Sequence, residues 1–237
     1  MSFIENIKIG REFVDKQDNF KYMRLLSMIY VAFLMAATIM AYKLVDLWGI
    51  TEPGSTLIYT FTFFLGNVYA ELYGPNYAKK LIWESIVTGY IFALLITLVN
   101  SFPSPSYWNM YEEFNKVIGH VLRFTNAGVI GYLLSAFLNI YLLTKWKYKL
   151  RGKYFWIRSL LASSISEGLA TFVAGLITFI GMMPTTKILL VMTNAFFFKI
   201  GYGLIAVWPA TFLAYFLKKN EKEITINPSL NPFLTKN

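Results

Sequence analysis

The chain has 237 residues, 56% of them hydrophobic, 18% aromatic and only 15% charged, with a formal net charge of +9. Apolar stretches of about 20 residues match the thickness of a bilayer core, which excludes an ordinary soluble domain and predicts one bundle of membrane helices. There is no cysteine and a single histidine, His120; this excludes disulfides, a cysteine nucleophile and thiolate or histidine-rich metal sites, and no cofactor is expected.

The basic residues lie between apolar segments, so the positive-inside rule accounts for them better than a nucleic-acid partner does. Residues 1–24 form a polar lead-in of mixed charge, unlike a cleavable signal peptide, with Ile4, Ile7 and Phe13 placed to touch a membrane surface. The first span is expected from Leu25 to about Trp48. Its Ala32, Ala36, Ala37 and Ala41 make two small-xxx-small pairs, suited to helix packing within the bundle or to docking of a partner. Glu52-Pro53-Gly54-Ser55 reads as a turn. The second span, Thr56 to Tyr73, is short, as broken helices at binding sites often are. The third runs from Leu81 to about Phe102 and stops at Pro103-Ser104-Pro105. Tyr107 to Lys116 reads as interfacial.

The fourth span is expected over Val117 to about Thr144, followed by the dense basic block KWKYKLRGKYFWIR. The fifth covers Trp156 to about Met183. The sixth covers Lys187 to about Leu217, and residues 218–237 form a polar tail with the composition of a disordered segment. Arg11, Lys16, Lys21, Arg24, Lys79, Lys80, the basic residues from Lys145 to Arg158, Lys218, Lys219 and Lys222 then share one side. Lys43, Lys116, Arg123 and Lys187 are left on the other. Six spans in a domain over residues 25–217, with both termini cytoplasmic, satisfy the positive-inside rule.

Polar residues inside these spans are the candidates for chemistry, because charge and amide groups are costly in lipid. Asn67 and Glu71 stand one helical turn apart and share a face. Glu71 sits toward the cytoplasmic end, where it is a candidate ligand contact, an interfacial group or a partner of Lys79 or Lys80. Glu167 lies roughly ten residues into the fifth span and Lys199 about twelve into the sixth, entered from the opposite side, so both reach the middle of the bilayer. They form either a structural ion pair or the wall of a substrate cavity. Arg123 either snorkels to the surface or caps a cavity with Glu112 or Glu113. Asn126, Asn139 and Asn194 are able to read a polar ligand edge or to bridge helices. Tyr69, Trp83, Tyr132 and Tyr202 are candidates for stacking on a flat ring. His120 reads as interfacial. No P-loop, GxSxG or HExxH motif is present, so neither an enzyme nor ATP hydrolysis by this chain alone is expected.

The stretch FTFFLGNVYAELYGPNYAKKLIW resembles the signature segment of the queuosine-precursor transporters, also called the vitamin-uptake-transporter family. Glu71, Tyr73, Gly74, Lys79 and Lys80 carry the match, with Asn67 where that family has an acid. Arg123 and Tyr132, Phe155 to Arg158, Ser163 to Thr171 with Glu167, and Lys199 with Pro209 continue it in order. Ala170 replaces a usual Asp, and Ala136 a common Gln. The resemblance implies a six-helix bundle similar to the vitamin-binding S-subunits of energy-coupling-factor transporters. It also implies uptake of 7-cyano- or 7-aminomethyl-7-deazaguanine, or queuine, across a bacterial inner membrane.

The combined expectation is an all-α, multi-pass inner-membrane uptake protein that holds a small heterocycle among the second, fourth, fifth and sixth spans. Asn67, Glu71, Arg123, Asn126, Tyr132, Glu167, Asn194 and Lys199 are the candidate ligand contacts. Glu167 is the candidate proton carrier if uptake is proton-coupled. The lipid bilayer is the other partner; a homodimer and a separate energising module remain open. The rival readings are a binding subunit dependent on such a module and a membrane protein with no transport role.

Overall fold

The structure, a computed structural model, describes residues 20–41, 43–47, 50–179 and 184–221. The lead-in with Ile4, Ile7 and Phe13, and the tail beyond Glu221, lie outside the described residues. Six long helices and one short helix account for most of the described chain. They are α1 (Met23–Met40), α2 (Gly54–Tyr73), α3 (Pro75–Asn100), the short α4 (Tyr111–Ile118), α5 (Val121–Lys149), α6 (Phe155–Phe179) and α7 (Thr185–Asn220). By length and apolar composition, α1, α3, the Gly128–Lys149 part of α5 and α7 are able to cross a membrane. The protein is a helical, multi-pass membrane protein. Val87, Ile91, Leu94 and Leu98 on α3, and Ile205, Trp208 and Phe212 on α7, are exposed at helical spacing. Such faces meet lipid.

α2 is the central helix. It packs against α1, α3, α5, α6 and α7, and Thr60, Phe64, Asn67, Val68 and Glu71 are all essentially fully buried. The apolar core gathers around it from Tyr30 of α1, Leu81 of α3, Ile140 and Leu143 of α5, and Val207 of α7.

The boundaries have local causes. α2 ends at Gly74, whose backbone (φ +91°, ψ 167°) lies in a region open essentially to glycine. Pro75, with no N–H to lose, then starts α3. Lys79 and Lys80 therefore sit in the first turns of a helix rather than in a loop. The basic block extends α5 to Lys149. A turn follows with positive φ at Arg151, Gly152 and Tyr154, and the Gly152 N–H donates back to Lys147 O at 2.8 Å. In α4, Glu112 and Glu113 open the helix and Lys116 closes it, the arrangement its dipole favours.

The first span is shorter than its apolar pattern predicts. Instead of running to Trp48, α1 stops at Met40. Strands β1 (Leu44–Leu47) and β2 (Ile50–Pro53) pair antiparallel, with Val45 opposite Glu52 and Asp46 opposite Thr51. Lys43 and Asp46 would place two charges on a continued membrane helix, and the hairpin removes that cost. The Gly54 N–H donates to Lys43 O at 2.6 Å and closes the hairpin onto the start of α2. At the opposite end of the bundle, the Glu221 carboxylate accepts the backbone N–H groups of Lys21 (3.0 Å) and Tyr22 (2.9 Å) and the Tyr73 hydroxyl (2.9 Å). The end of α7 thereby caps the start of α1.

Candidate functional site

Near the hairpin end the helices part around a cavity of about 300 Å³, at the lower edge of sizes that hold small ligands. All six long helices reach it, so α1 and α3 join the four spans expected to build it. α1 contributes Ala37 and Thr38, α2 Thr56 and Tyr59, α3 Ser85 and Gly89, α5 Thr125 and Tyr132, α6 Ala170 and Thr171, and α7 Lys199. Aromatic edges line one part of it: Tyr59 meets Tyr132 edge-on, with ring centroids 5.9 Å apart. The Tyr132 hydroxyl is fixed by Tyr30 at 2.6 Å and Ser85 at 3.2 Å. The rest of the wall is hydroxyl-rich and small, and suits a flat ligand with a polar rim.

Lys199 reaches this wall from the middle of α7 and donates to Thr171 Oγ1 at 2.8 Å. Glu167, 5% exposed, accepts from Thr60 Oγ1 at 2.7 Å. It does not line the main cavity. Glu167 and Lys199 instead border a small void with Phe64, Ser163 and Phe196, and no ion pair within 4.0 Å joins them among the described residues. The close approach of α6 and α7 has a visible cause at Gly168, where a Cβ would meet the Phe196 ring at 2.8 Å.

Asn67 lies deeper and is fully buried. Its Nδ2 donates to the hydroxyls of Ser159 and Ser163, each at 2.8 Å, and its Oδ1 accepts from Asn139 Nδ2 at 2.7 Å. It ties α2 to α5 and α6 and does not face the cavity. Glu71 is at the basic end, three helical turns below Tyr59, or roughly 18 Å along the axis. Its carboxylate accepts from Arg158 Nη1 (3.1 Å), Arg158 Nη2 (3.3 Å) and Lys218 Nζ (2.7 Å), with Lys147 Nζ 3.5 Å away. Lys147 also donates to the Glu71 carbonyl at 2.7 Å. These partners, rather than Lys79 or Lys80, neutralise it. Arg158 is 1% exposed and spends its other donors on Lys153 O and Gly152 O. One carboxylate thus joins the ends of α2, α5, α6 and α7.

Residues 53–214 match the family described as "Putative vitamin uptake transporter". The chain belongs to this vitamin uptake transporter family. Over 174 residues, covering 73% of this chain and 76% of the relative, it is 22% identical to the "Probable queuosine precursor transporter" of Bacillus subtilis (strain 168). No solved structure matches. The family and that relative are transporters and not enzymes, in keeping with a sequence that carries no catalytic motif.

In this family member the expected ligand contacts separate into groups. Tyr132 and Lys199 line the cavity, and Glu167 stands beside it. Asn67 and Glu71 are engaged in buried networks. Arg123, Asn126 and Asn194 are exposed on helix surfaces, and among the described residues no ion pair links Arg123 to Glu112 or Glu113. Of the four aromatic candidates only Tyr132 lines the cavity: Tyr69 accepts from Ser27 at 3.2 Å, Trp83 is 54% exposed and Tyr202 is half-buried. The residues that sequence reasoning missed are mostly neutral: Tyr59, Thr56, Ser85, Thr125 and Thr171. A detectable signal exists on α5, where Thr125, Gly128 and Tyr132 form one helical stripe of small and hydroxyl groups. The alanine ladder of α1 is divided, with Ala37 and Ala41 on the cavity and Ala32 and Ala36 facing outward.

Proposed function

We propose that this chain carries a small, flat, polar heterocycle inward across a bacterial inner membrane, the cargo being a queuosine precursor: 7-cyano- or 7-aminomethyl-7-deazaguanine, or queuine. The observation that carries the reading is the cavity at the hairpin end. Tyr59 and Tyr132 supply ring contacts, hydroxyls from several helices surround the rim, and Lys199 supplies a charged donor. The name of the Bacillus subtilis relative supports the cargo class.

The proposed topology is six spans, α1, α2, α3, α5, α6 and α7, in the manner of vitamin-binding S-subunits. The basic end faces the cytoplasm, so the cavity faces outward. Ligand enters from outside and rests against Lys199. The Glu71 cluster holds the cytoplasmic end shut. Release follows when α2 shifts about Gly74–Pro75 and the cluster parts. Glu167 is the candidate proton carrier: it is buried, held by one threonine hydroxyl and next to the ligand wall. Transport by Glu167→Gln with an unchanged pH profile would rule that role out.

The test is a feeding assay. A bacterium lacking both deazaguanine synthesis and its own transporter expresses this chain and receives 7-cyano-7-deazaguanine at low concentration. Queuosine in tRNA, scored by its mobility shift on a boronate gel, is the expected result. No shift, with the protein shown to be in the membrane, overturns the reading. One observation favours a second reading, a binding subunit that needs an energising module: Ala32 and Ala36 leave a small-xxx-small pair on the outer face of α1, where another helix can approach. Uptake in a host without such a module decides against it.

A further inference from the structure

The cavity wall carries information about the charge of its ligand. Lys199 is the charged side chain that lines it among the described residues. Its Nζ gives one N–H to Thr171 and has no ion pair within 4.0 Å there, so two of the three ammonium donors are unspent. The two carboxylates that act on Lys199 electrostatically, Glu167 and Glu52, make their hydrogen bonds elsewhere. Glu167 accepts from Thr60, and Glu52, 7% exposed, accepts from Thr56 Oγ1 at 3.4 Å. Neither lines the cavity. Beside Lys199 on the same wall, Ala170 presents only a methyl group where an acidic side chain would meet an incoming cation. The Thr38 and Thr125 hydroxyls donate to the Leu34 and Val121 carbonyls, so toward a ligand they offer lone pairs, which serve the N–H groups of a neutral heterocycle as well as those of an amine.

We infer that this cavity selects ligands that present an uncharged acceptor or an anionic edge to Lys199 and excludes ligands with a cationic amine, with Ala170 as the second position that sets the preference. For the identity of the heterocycle the inference rests on the uptake reading; for the sign of the charge it rests on the wall alone. A ligand ammonium would have to approach the Lys199 ammonium with no carboxylate on the cavity wall itself, and at contact distance, well inside a Debye length, salt screens that repulsion little. A nitrile or ring carbonyl instead takes up an idle donor. Of the two deazaguanines, the 7-cyano compound is neutral and the 7-aminomethyl compound carries the cation. The structure therefore assigns this chain to the neutral one.

The test has two arms on the purified full chain in lipid nanodiscs. In the first, 7-cyano- and 7-aminomethyl-7-deazaguanine are compared by calorimetry. The neutral compound should bind at least about tenfold tighter, equivalent to about 1.4 kcal/mol. Lys199→Gln should shrink that ratio, Lys199→Arg should keep it, and Ala170→Asp should move it toward the amine. The second arm needs no natural ligand. The chain has no cysteine, and a Cβ at Gly128, on the cavity wall, meets nothing within 4 Å, so Gly128→Cys is a clean reporter. A sulfonate-bearing methanethiosulfonate should outpace a quaternary-ammonium one there, relative to the same pair at Tyr107→Cys, which is 84% exposed. Adding Lys199→Gln should abolish the difference.

Equal or tighter binding of the amine, or a reagent ratio at Gly128→Cys no different from that at Tyr107→Cys, overturns the inference. If neither deazaguanine binds but the anionic reagent keeps its Lys199-dependent advantage, the charge selectivity stands and the deazaguanine reading falls. If Lys199→Gln fails to fold, Ala170→Asp in the Gly128→Cys background carries the second arm, and an unchanged ratio there counts against the inference.

Discussion

Asn67 shows how a polar residue inside a membrane helix is held by buried partners away from the cavity. Its amide pairs with two serine hydroxyls on α6 and an asparagine on α5, all buried. Asn67→Ala strands those groups, at roughly 1–3 kcal/mol for each that finds no new partner. The thermal midpoint of the detergent-purified protein should fall clearly, while the ratio of affinities for neutral and cationic ligands stays as it is. A change in that ratio with no loss of stability would place Asn67 in the ligand site after all. The sequence made Asn67 conspicuous because an amide in an apolar run demands a partner. It did not identify the partner, because Ser159 and Ser163 are serines like many others and lie more than ninety residues away. Arg158 was visible only as one of the basic residues that share one side and as part of the family resemblance, because nothing in the linear chain links it to Glu71, 87 residues away; only the folded chain brings the two together.

Among the elements, α2 and its two ends carry the architecture. The Glu71 cluster joins four helix ends through one carboxylate, and its Arg158 partner is almost fully buried. Removing one member of a buried pair leaves an uncompensated charge, typically at about 3–5 kcal/mol. Glu71→Ala should therefore unfold the protein at markedly lower temperature. The double variant Glu71→Met with Arg158→Met should recover part of the loss, a coupling that a double-mutant cycle reads directly. Strict additivity of the two single changes would show that the cluster does not act as a unit. Just beyond it, Gly74 occupies a backbone region closed to other residues. Gly74→Ala should cost roughly 1–3 kcal/mol in the same melt. If Gly74 is also the pivot for release, uptake should slow by more than the lost stability explains. The break was legible because Gly-Pro has few conformations open to it. The hairpin was not, because Leu44, Val45 and Leu47 continue the apolar run of α1, and Lys43 and Asp46 read equally well as charges at the mouth of a longer span.

At the scale of the whole molecule, apolar periodicity and the family resemblance made the helical membrane fold readable, while the placement of the cavity was not. The cavity is built largely from neutral residues such as Tyr59, Ser85 and Thr171, which become a site only when all six long helices converge. The direction of that cavity decides what the protein does with its ligand. The end that carries Glu71, Lys147, Arg158 and Lys218 is also where Glu221 meets the start of α1, so both ends of the described bundle lie together with the densest positive charge. In the topology proposed from the positive-inside rule that end is cytoplasmic and the cavity samples the outside. The cysteine-free background makes this measurable. A membrane-impermeant maleimide on intact spheroplasts should label Tyr107→Cys, in the segment between α3 and α4, and should reach Lys149→Cys, at the end of α5, only after the membrane is opened. The reverse pattern would turn the cavity toward the cytoplasm, and a site that binds from that side would be suited to export rather than uptake.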